Sequence, residues 1–241
     1  LKNTMQLSLT NTSLSKLDQR TEGWIAGLQL AGLSLIGRAD QSHIIENFRG
    51  DDRYIVDYLV AEVLHQQDAA TQDFLLKTSI LEVLDASICN HLTGHDDSHV
   101  MLNRIDSANL FLIPLDNRRQ TYRYHHLFAD VLSTYAKQKI PERVHQCQQL
   151  ASDWYEAQGD KSEAIRYAHD AKDTERVADL LELSWPAIFN GFKPSTWLGW
   201  VRTLPEEMVK VRPILSAGYA WVLLDERETE AVEDRLQDAE R

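Results

Sequence analysis

The stretch that most constrains the fold runs from Asn109 to Leu132, NLFLIPLDNRRQTYRYHHLFADVL. It reads as a strand over Leu110 to Leu115, a polar turn over Asp116 to Gln120, a second strand over Thr121 to His125, and then a helix. Turn residues between β-rich, aromatic runs are the signature of a hairpin. Almost every other segment carries helical periodicity. A lone hairpin is not stable in water, so neighbouring helices must pack onto it. Three short helical patterns precede it, at about Thr71 to Leu84, Ala86 to Leu92 and Ser98 to Ala108. Three helices and a hairpin wing define a winged-helix module.

On either side the chain is helical. Residues 1–48 are expected to form a small helical domain. Ser13 or Ser15 is placed to cap its first helix, with Asp18 completing an acidic capping pattern. The run RTEGWIAGLQLAGLSL follows, with apolar residues nearly all round the helix, as for a buried one. Gly23, Gly27 and Gly32 cost helix propensity, which predicts close approach of a helix or a ligand to the backbone there. Residues 49–140 hold an amphipathic linker helix (49–69, with Asp51 and Asp52 at its start) and the winged helix.

Residues 141–241 carry a repeat: Ala151, Trp154, Glu163, Ala164 and Ile165 recur as Gly218, Trp221, Glu230, Ala231 and Val232. The constant offset is close to twice the tetratricopeptide period of about 34 residues. A less regular unit with Pro186, Pro194, Trp197, Trp200 and Pro205 lies between. The expectation is a mainly α chain: a small helical domain, a winged helix with one β-hairpin, then the start of a tetratricopeptide-like α-solenoid, whose stacked helix pairs expose a concave surface.

Charge narrows the partners. Basic and acidic residues number 4 and 3 in residues 1–40, 9 and 14 in 41–140, and 12 and 20 in 141–241, against a total of −12. No segment is a basic patch of the kind that neutralises phosphates. The third winged-helix pattern, DSHVMLNRIDSA, carries Asp97, Arg104 and Asp106, whereas groove reading uses Arg, Lys, Asn or Gln aimed at bases. Direct nucleic-acid contact by this chain is not expected, and Arg118, Arg119 and Arg123 read as a solvated wing. Trp24 to Ile36, the most apolar run, is too short to span a bilayer. With no signal peptide and two cysteines (Cys89, Cys147) in helical contexts, a cytoplasmic protein with reduced core thiols is expected. Leu1 is not a natural start and Glu228 to Arg241 has no stop signal, so the chain reads as a piece of a longer protein.

Nothing supports catalysis. GxxxxGK[ST], GxSxG, HExxH and CxxC are all absent. His91, His95 and His99 recur every four residues, but Thr93-Gly94 is expected to break the helix, leaving a surface loop and no metal site. His125 and His126 stand at a helix start, where an anion could meet free amides and an imidazole donor. On spacing alone, a core histidine satisfied by backbone is the favoured reading of His125.

The segments TEGWIAGLQLA, ANLFLIPLDNRRQTYRYHHLFADVL and AxxWYEAxGDxxEAIRYAxxAxD resemble the large ATP-dependent LuxR-type transcriptional activators of the maltose-regulon type. These are signal-transducing ATPases with numerous domains, and the resemblance covers nearly the whole chain. It implies that this chain is the middle region, lacking an N-terminal P-loop ATPase domain and a C-terminal helix-turn-helix. The family's GLPLA motif, which lies against adenine, matches Gly27-Leu28-Gln29-Leu30-Ala31, with Gln29 where the family has proline. The family's MHD motif matches Tyr124-His125-His126, its histidine near the β-phosphate of ADP matching His125, with His126 in the aspartate position. The resemblance thus implies nucleotide binding by His125, Gly27, Leu28 and Gln29, with ATP or ADP bound in the parent protein and none by the isolated chain. It further implies an inducer or regulatory protein on the helical repeats, and slow ATP hydrolysis that belongs to the parent protein as a switch. A protein-interaction scaffold, using the repeat groove without nucleotide or DNA, is the alternative.

Overall fold

A computed structural model describes residues 11–35, 45, 53–185, 194–225 and 232–240. The chain divides into two compact units, Leu1–Cys147 and Gln148–Arg241.

In the first unit, helices α1 (Asn11–Thr21) and α2 (Ile25–Leu35) form a hairpin. Ser13 and Ser15 lie inside α1 and do not cap it, because the helix already includes Asn11. It ends in a Schellman turn: the Gly23 amide bonds the Asp18 carbonyl (3.3 Å) and the Glu22 amide bonds that of Gln19 (3.4 Å). Glu22 takes the left-handed position of that turn (φ 48°), where glycine is usual. On α2, Leu35 and Ala31 are buried but Ile25 is 73% exposed, so this helix is not enclosed on every side. The helix from Arg53 is α-helical through Tyr58 (α3) and π-helical over Leu59–Leu64. Apolar spacing on its own cannot reveal that change, because Ile55, Leu59 and Val63 are buried on one face either way. A carbonyl freed there, that of Val63, accepts from the Gln67 side chain at 2.9 Å. Asp51 and Asp52 lie outside the described residues.

The winged helix follows. Helix α4 (Ala69–Thr78) is capped by Asp68 and stops well before Leu84, earlier than its periodicity predicts. Leu84–Asp85 instead forms a short strand, β1, before α5 (Ala86–Thr93) and α6 (Ser98–Ser107). The hairpin strands are β2 (Leu112–Pro114) and β3 (Thr121–Tyr124), and the antiparallel sheet has the order β1-β3-β2. Leu84 faces Tyr122, and Leu112 faces Tyr124. Alternation along β3 buries Tyr122 and Tyr124, and the Tyr124 hydroxyl bonds Thr78 at 2.7 Å, so the sheet is pinned to the end of α4. The wing turn is organised by Asp116, whose carboxylate accepts from the amides of Arg118, Gln120 and Thr121. Helix α7 (His126–Lys139) packs on α4, and its buried Leu127, Phe128, Val131 and Leu132 fill the centre.

Helix α8 (Pro141–Ala157) contains the division between the units. The second unit continues with α9 (Lys161–Asp170), α10 (Thr174–Ser184), α11 (Pro194–Val201), α12 (Glu206–Lys210), α13 (Pro213–Asp225) and α14 (Val232–Glu240). These are paired helices around one core. Asp160 and Asp173 cap α9 and α10, and Pro194 and Pro205 stand at the starts of α11 and α12, where proline costs no hydrogen bond. Trp197 is fully buried and donates to the Leu181 carbonyl at 3.1 Å. A Cβ at Gly218 would meet the rings of Trp185 and Trp197 at 2.8 and 2.9 Å. The small residue of the second repeat therefore admits tryptophans from neighbouring helices. Trp221, the repeat's own tryptophan, is partly exposed and stands edge-on to Trp185. Pro186, Glu230 and Ala231 lie outside the described residues. No described helix is long and apolar enough to cross a membrane.

Candidate functional site

The residues singled out by sequence meet where the α1–α2 turn touches the start of α7. His125 precedes α7, and its backbone amide donates to the Phe111 carbonyl at 2.7 Å. Its side chain is buried, with Nε2 2.9 Å from the Thr21 carbonyl oxygen. A carbonyl only accepts, so Nε2 carries the proton. Nδ1 is left buried without a hydrogen-bond partner among the described residues. Burial pushes the His125 pKa below the ordinary imidazole value, against the opposing pull of the Thr21 bond and of Glu22. His125 is thus neutral near pH 7.

Glu22 is the charged centre. Its carboxylate accepts from Arg123 at 3.0 and 3.4 Å and lies 3.5 Å from His125 Nε2 and 3.3 Å from His126 Nδ1. Burial raises its pKa, but the Arg123 guanidinium and the two imidazoles outweigh burial and hold it below the usual carboxylate range. The imidazoles of His125 and His126 stack with centroids 4.8 Å apart. Around them Trp24 stands edge-on to Phe111 at 5.0 Å and 6.2 Å from His125, and Phe111 packs on Phe128. Phe111 has φ 56° and Glu22 φ 48°. Two non-glycine residues in the left-handed region, each a cost of about 1–2 kcal/mol, flank one site. Such strain persists where surroundings over-determine it and gathers at functional positions.

Of the motif residues, Gly27 lies under Trp24, because a Cβ there would overlap the indole ring. The atoms that approach that glycine belong to the tryptophan of the turn leading into its own helix, where a neighbouring helix or a ligand was expected. Leu28 is half-buried on α2, and Gln29 occupies the same helix, its side chain lying outside the described set. His125 and the Gly27 segment therefore meet through one shared neighbour, Trp24. Sequence reasoning passed over Glu22, Trp24 and Phe111. The available signal was the Glu-Gly-Trp triplet, which the sequence reading placed inside one continuous helix and which the structure shows to be a helix break.

His91, His95 and His99 are separated by the left-handed Gly94 (φ 75°), as expected for a broken helix. They do not form a ligand group. Among the described residues the one trio of metal-capable side chains with ligand atoms within 4.8 Å of one another is Glu22, His125 and His126. Cys89 and Cys147 are free and buried, and burial raises both thiols, that of Cys147 to about 11. The second unit has a cavity of about 430 Å³ lined by His169, Asp170, Lys172, Thr174, Thr203 and Leu204.

The fold and the site together define a class: a winged-helix domain joined to a helical hairpin on one side and helical repeats on the other. Residues 60–144 match the MalT winged helix domain family. The chain as a whole resembles the middle region of MalT-type regulators. It is 30% identical to the HTH-type transcriptional regulator MalT of Klebsiella pneumoniae subsp. pneumoniae over 230 residues, 94% of this chain and 25% of that protein. It is equally similar, 30% over 206 residues, to MalT of Vibrio cholerae (83% of this chain, 22% of that protein). The serine/threonine-protein kinase PknK of Mycobacterium tuberculosis is 30% identical over 215 residues, 89% of this chain and 19% of that kinase. The chain spans about a fifth to a quarter of the length of these curated relatives.

Proposed function

We propose that the chain is the switch and sensor part of an ATP-dependent LuxR-type transcriptional regulator, coupling nucleotide state and inducer binding to oligomerisation and transcription activation. The observation that carries this reading is the meeting of His125 with the Gly27 segment across Trp24. The two motifs that the family resemblance assigns to nucleotide thus share one neighbour. The Nε2–H of His125 is held here by the Thr21 carbonyl. A phosphate oxygen is also an acceptor, so the same N–H can turn its hydrogen bond from the Thr21 carbonyl to ADP when the winged helix docks on an ATPase domain. The site then has two arrangements, and a nucleotide shifts their balance only through its different affinity for each. Domain rotation is the motion suited to it.

The relatives support a regulatory role over a chemical one. The same region is shared by proteins named as a kinase and as transcriptional regulators, which fits a control module, non-catalytic in itself and reused with different outputs. ATP or ADP would bind in the parent protein, with His125, Gly27, Leu28 and Gln29 contributing. The partners would be an N-terminal ATPase domain and a C-terminal helix-turn-helix, in the cytoplasm. The cavity beside His169 and Lys172 is of a size that suits a small inducer. The alternative, a docking scaffold, draws on Ile214, Trp221 and Leu224, partly exposed at positions that share one face of α13.

The test is His125→Ala in the full-length protein. The expected result is faster ADP release and higher basal transcription. An ADP release rate and a basal output both equal to wild type would end the nucleotide reading.

A further inference from the structure

We infer that Glu22, His125 and His126 form a binding site for a zinc-class divalent cation that clamps the α1–α2 turn to the start of α7. One ligand atom from each residue lies within 4.8 Å of the others. Glu22 approaches His125 Nε2 at 3.5 Å and His126 Nδ1 at 3.3 Å. Tetrahedral zinc with bonds of 2.0–2.2 Å separates neighbouring ligands by about 3.3–3.5 Å; each histidine already stands at that spacing from the carboxylate, His125 from Oε2 and His126 from Oε1. Two imidazoles and one carboxylate suit zinc, copper or nickel better than calcium or magnesium, which want oxygen. Three protein ligands leave a fourth position for water. Glu22 and His126 are partly exposed while His125 is buried, which gives the ion an entry side and a fixed back wall.

Two features of the arrangement indicate what binding must displace. Arg123 shares the Glu22 carboxylate, and a cation there replaces the guanidinium. His125 Nε2 must exchange its proton and its Thr21 bond for the metal, moving the proton to Nδ1, the nitrogen that now has no hydrogen-bond partner among the described residues. The left-handed backbone at Glu22 fixes the carboxylate between the two histidines, and a relaxed helix end would not aim it there. The inference does not rest on the nucleotide reading, because it concerns the protein without nucleotide.

The experiment is a titration of the untagged, chelator-treated chain with zinc chloride, read by calorimetry and by competition with a chromophoric chelator, with circular dichroism as the fold control. One equivalent should bind per chain and raise the melting temperature, as any ligand specific to the native state does. Glu22→Gln and His126→Ala should each weaken binding by at least about tenfold. Arg123→Gln should bind more tightly than wild type, which no site elsewhere on the chain would show. No binding by the folded wild-type chain, or zinc binding undiminished in both Glu22→Gln and His126→Ala, overturns the inference.

Discussion

At the scale of single residues, burial decides which groups are chemically available. His125 is neutral and its proton committed, whereas Glu22 is ionised and shared among three partners. The two thiols lie at the other extreme. With a pKa of about 11 for Cys147, on the order of one thiol in a thousand is ionised at pH 8, and the thiolate is the reactive form. Cys89 is pushed higher still by burial. Native protein should therefore react with a disulfide reagent at pH 8 far more slowly than the same chain in guanidinium, with both cysteines released together on unfolding. Labelling of either cysteine at the denatured rate under native conditions would contradict their burial. Part of the site was legible at this scale. His125, His126 and Gly27 were visible as a histidine pair at a helix start and a glycine inside a helix. Glu22 was not, because its role depends on a left-handed backbone that brings its carboxylate to residues more than a hundred positions away. Neither periodicity nor propensity encodes that placement.

At the scale of elements, local chemistry was read well and long-range pairing was not. The hairpin, its turn and the following helix form in the expected order, with the first strand shortened to Leu112–Pro114 because Phe111 turns left-handed before it, and the second ending at Tyr124. The strand Leu84–Asp85 was missed, with Leu84 read as the end of a helix, because its partner, Tyr122, is distant in sequence, and two residues carry no alternation of their own. The π-helical Leu59–Leu64 was likewise invisible, since a shift of the hydrogen-bond ladder leaves the apolar face intact. The repeat was read from recurring residues of which Glu230 and Ala231 lie outside the described residues, but its small residue can be tested directly. Gly218→Ala should gain about 1 kcal/mol from helix propensity. Its Cβ would strike two tryptophan rings, and overpacking of that kind costs about 1–3 kcal/mol. Trp197 is fully buried and the partly buried Trp185 packs against the same core, so packing should win and the variant should unfold at lower denaturant. An equal or higher midpoint would mean that the tryptophans yield and that the glycine is not required for their packing.

At the scale of the whole molecule, the question is whether a winged helix here reads DNA. Fold by itself does not settle function, but three of the arginines that would perform the reading are already engaged. Arg104 on α6 pairs with Asp68, Arg119 on the wing pairs with Asp106 at 2.6 Å, and Arg123 pairs with Glu22. Each would have to leave an internal carboxylate to meet a phosphate, on a chain whose net charge is −12. Binding that neutralises several phosphates shows a steep loss of affinity with salt, a logarithmic slope of about −0.9 per phosphate on duplex DNA. Fluorescence anisotropy with a labelled duplex, from low to physiological salt, should show no saturable binding and no such slope for this chain. Repulsion should in fact be strongest at low salt, where it is least screened. A slope corresponding to several released counterions would show that the wing arginines exchange their carboxylates for phosphates. The winged helix would then be a DNA reader, and its ion pairs would be the contacts that hold it idle.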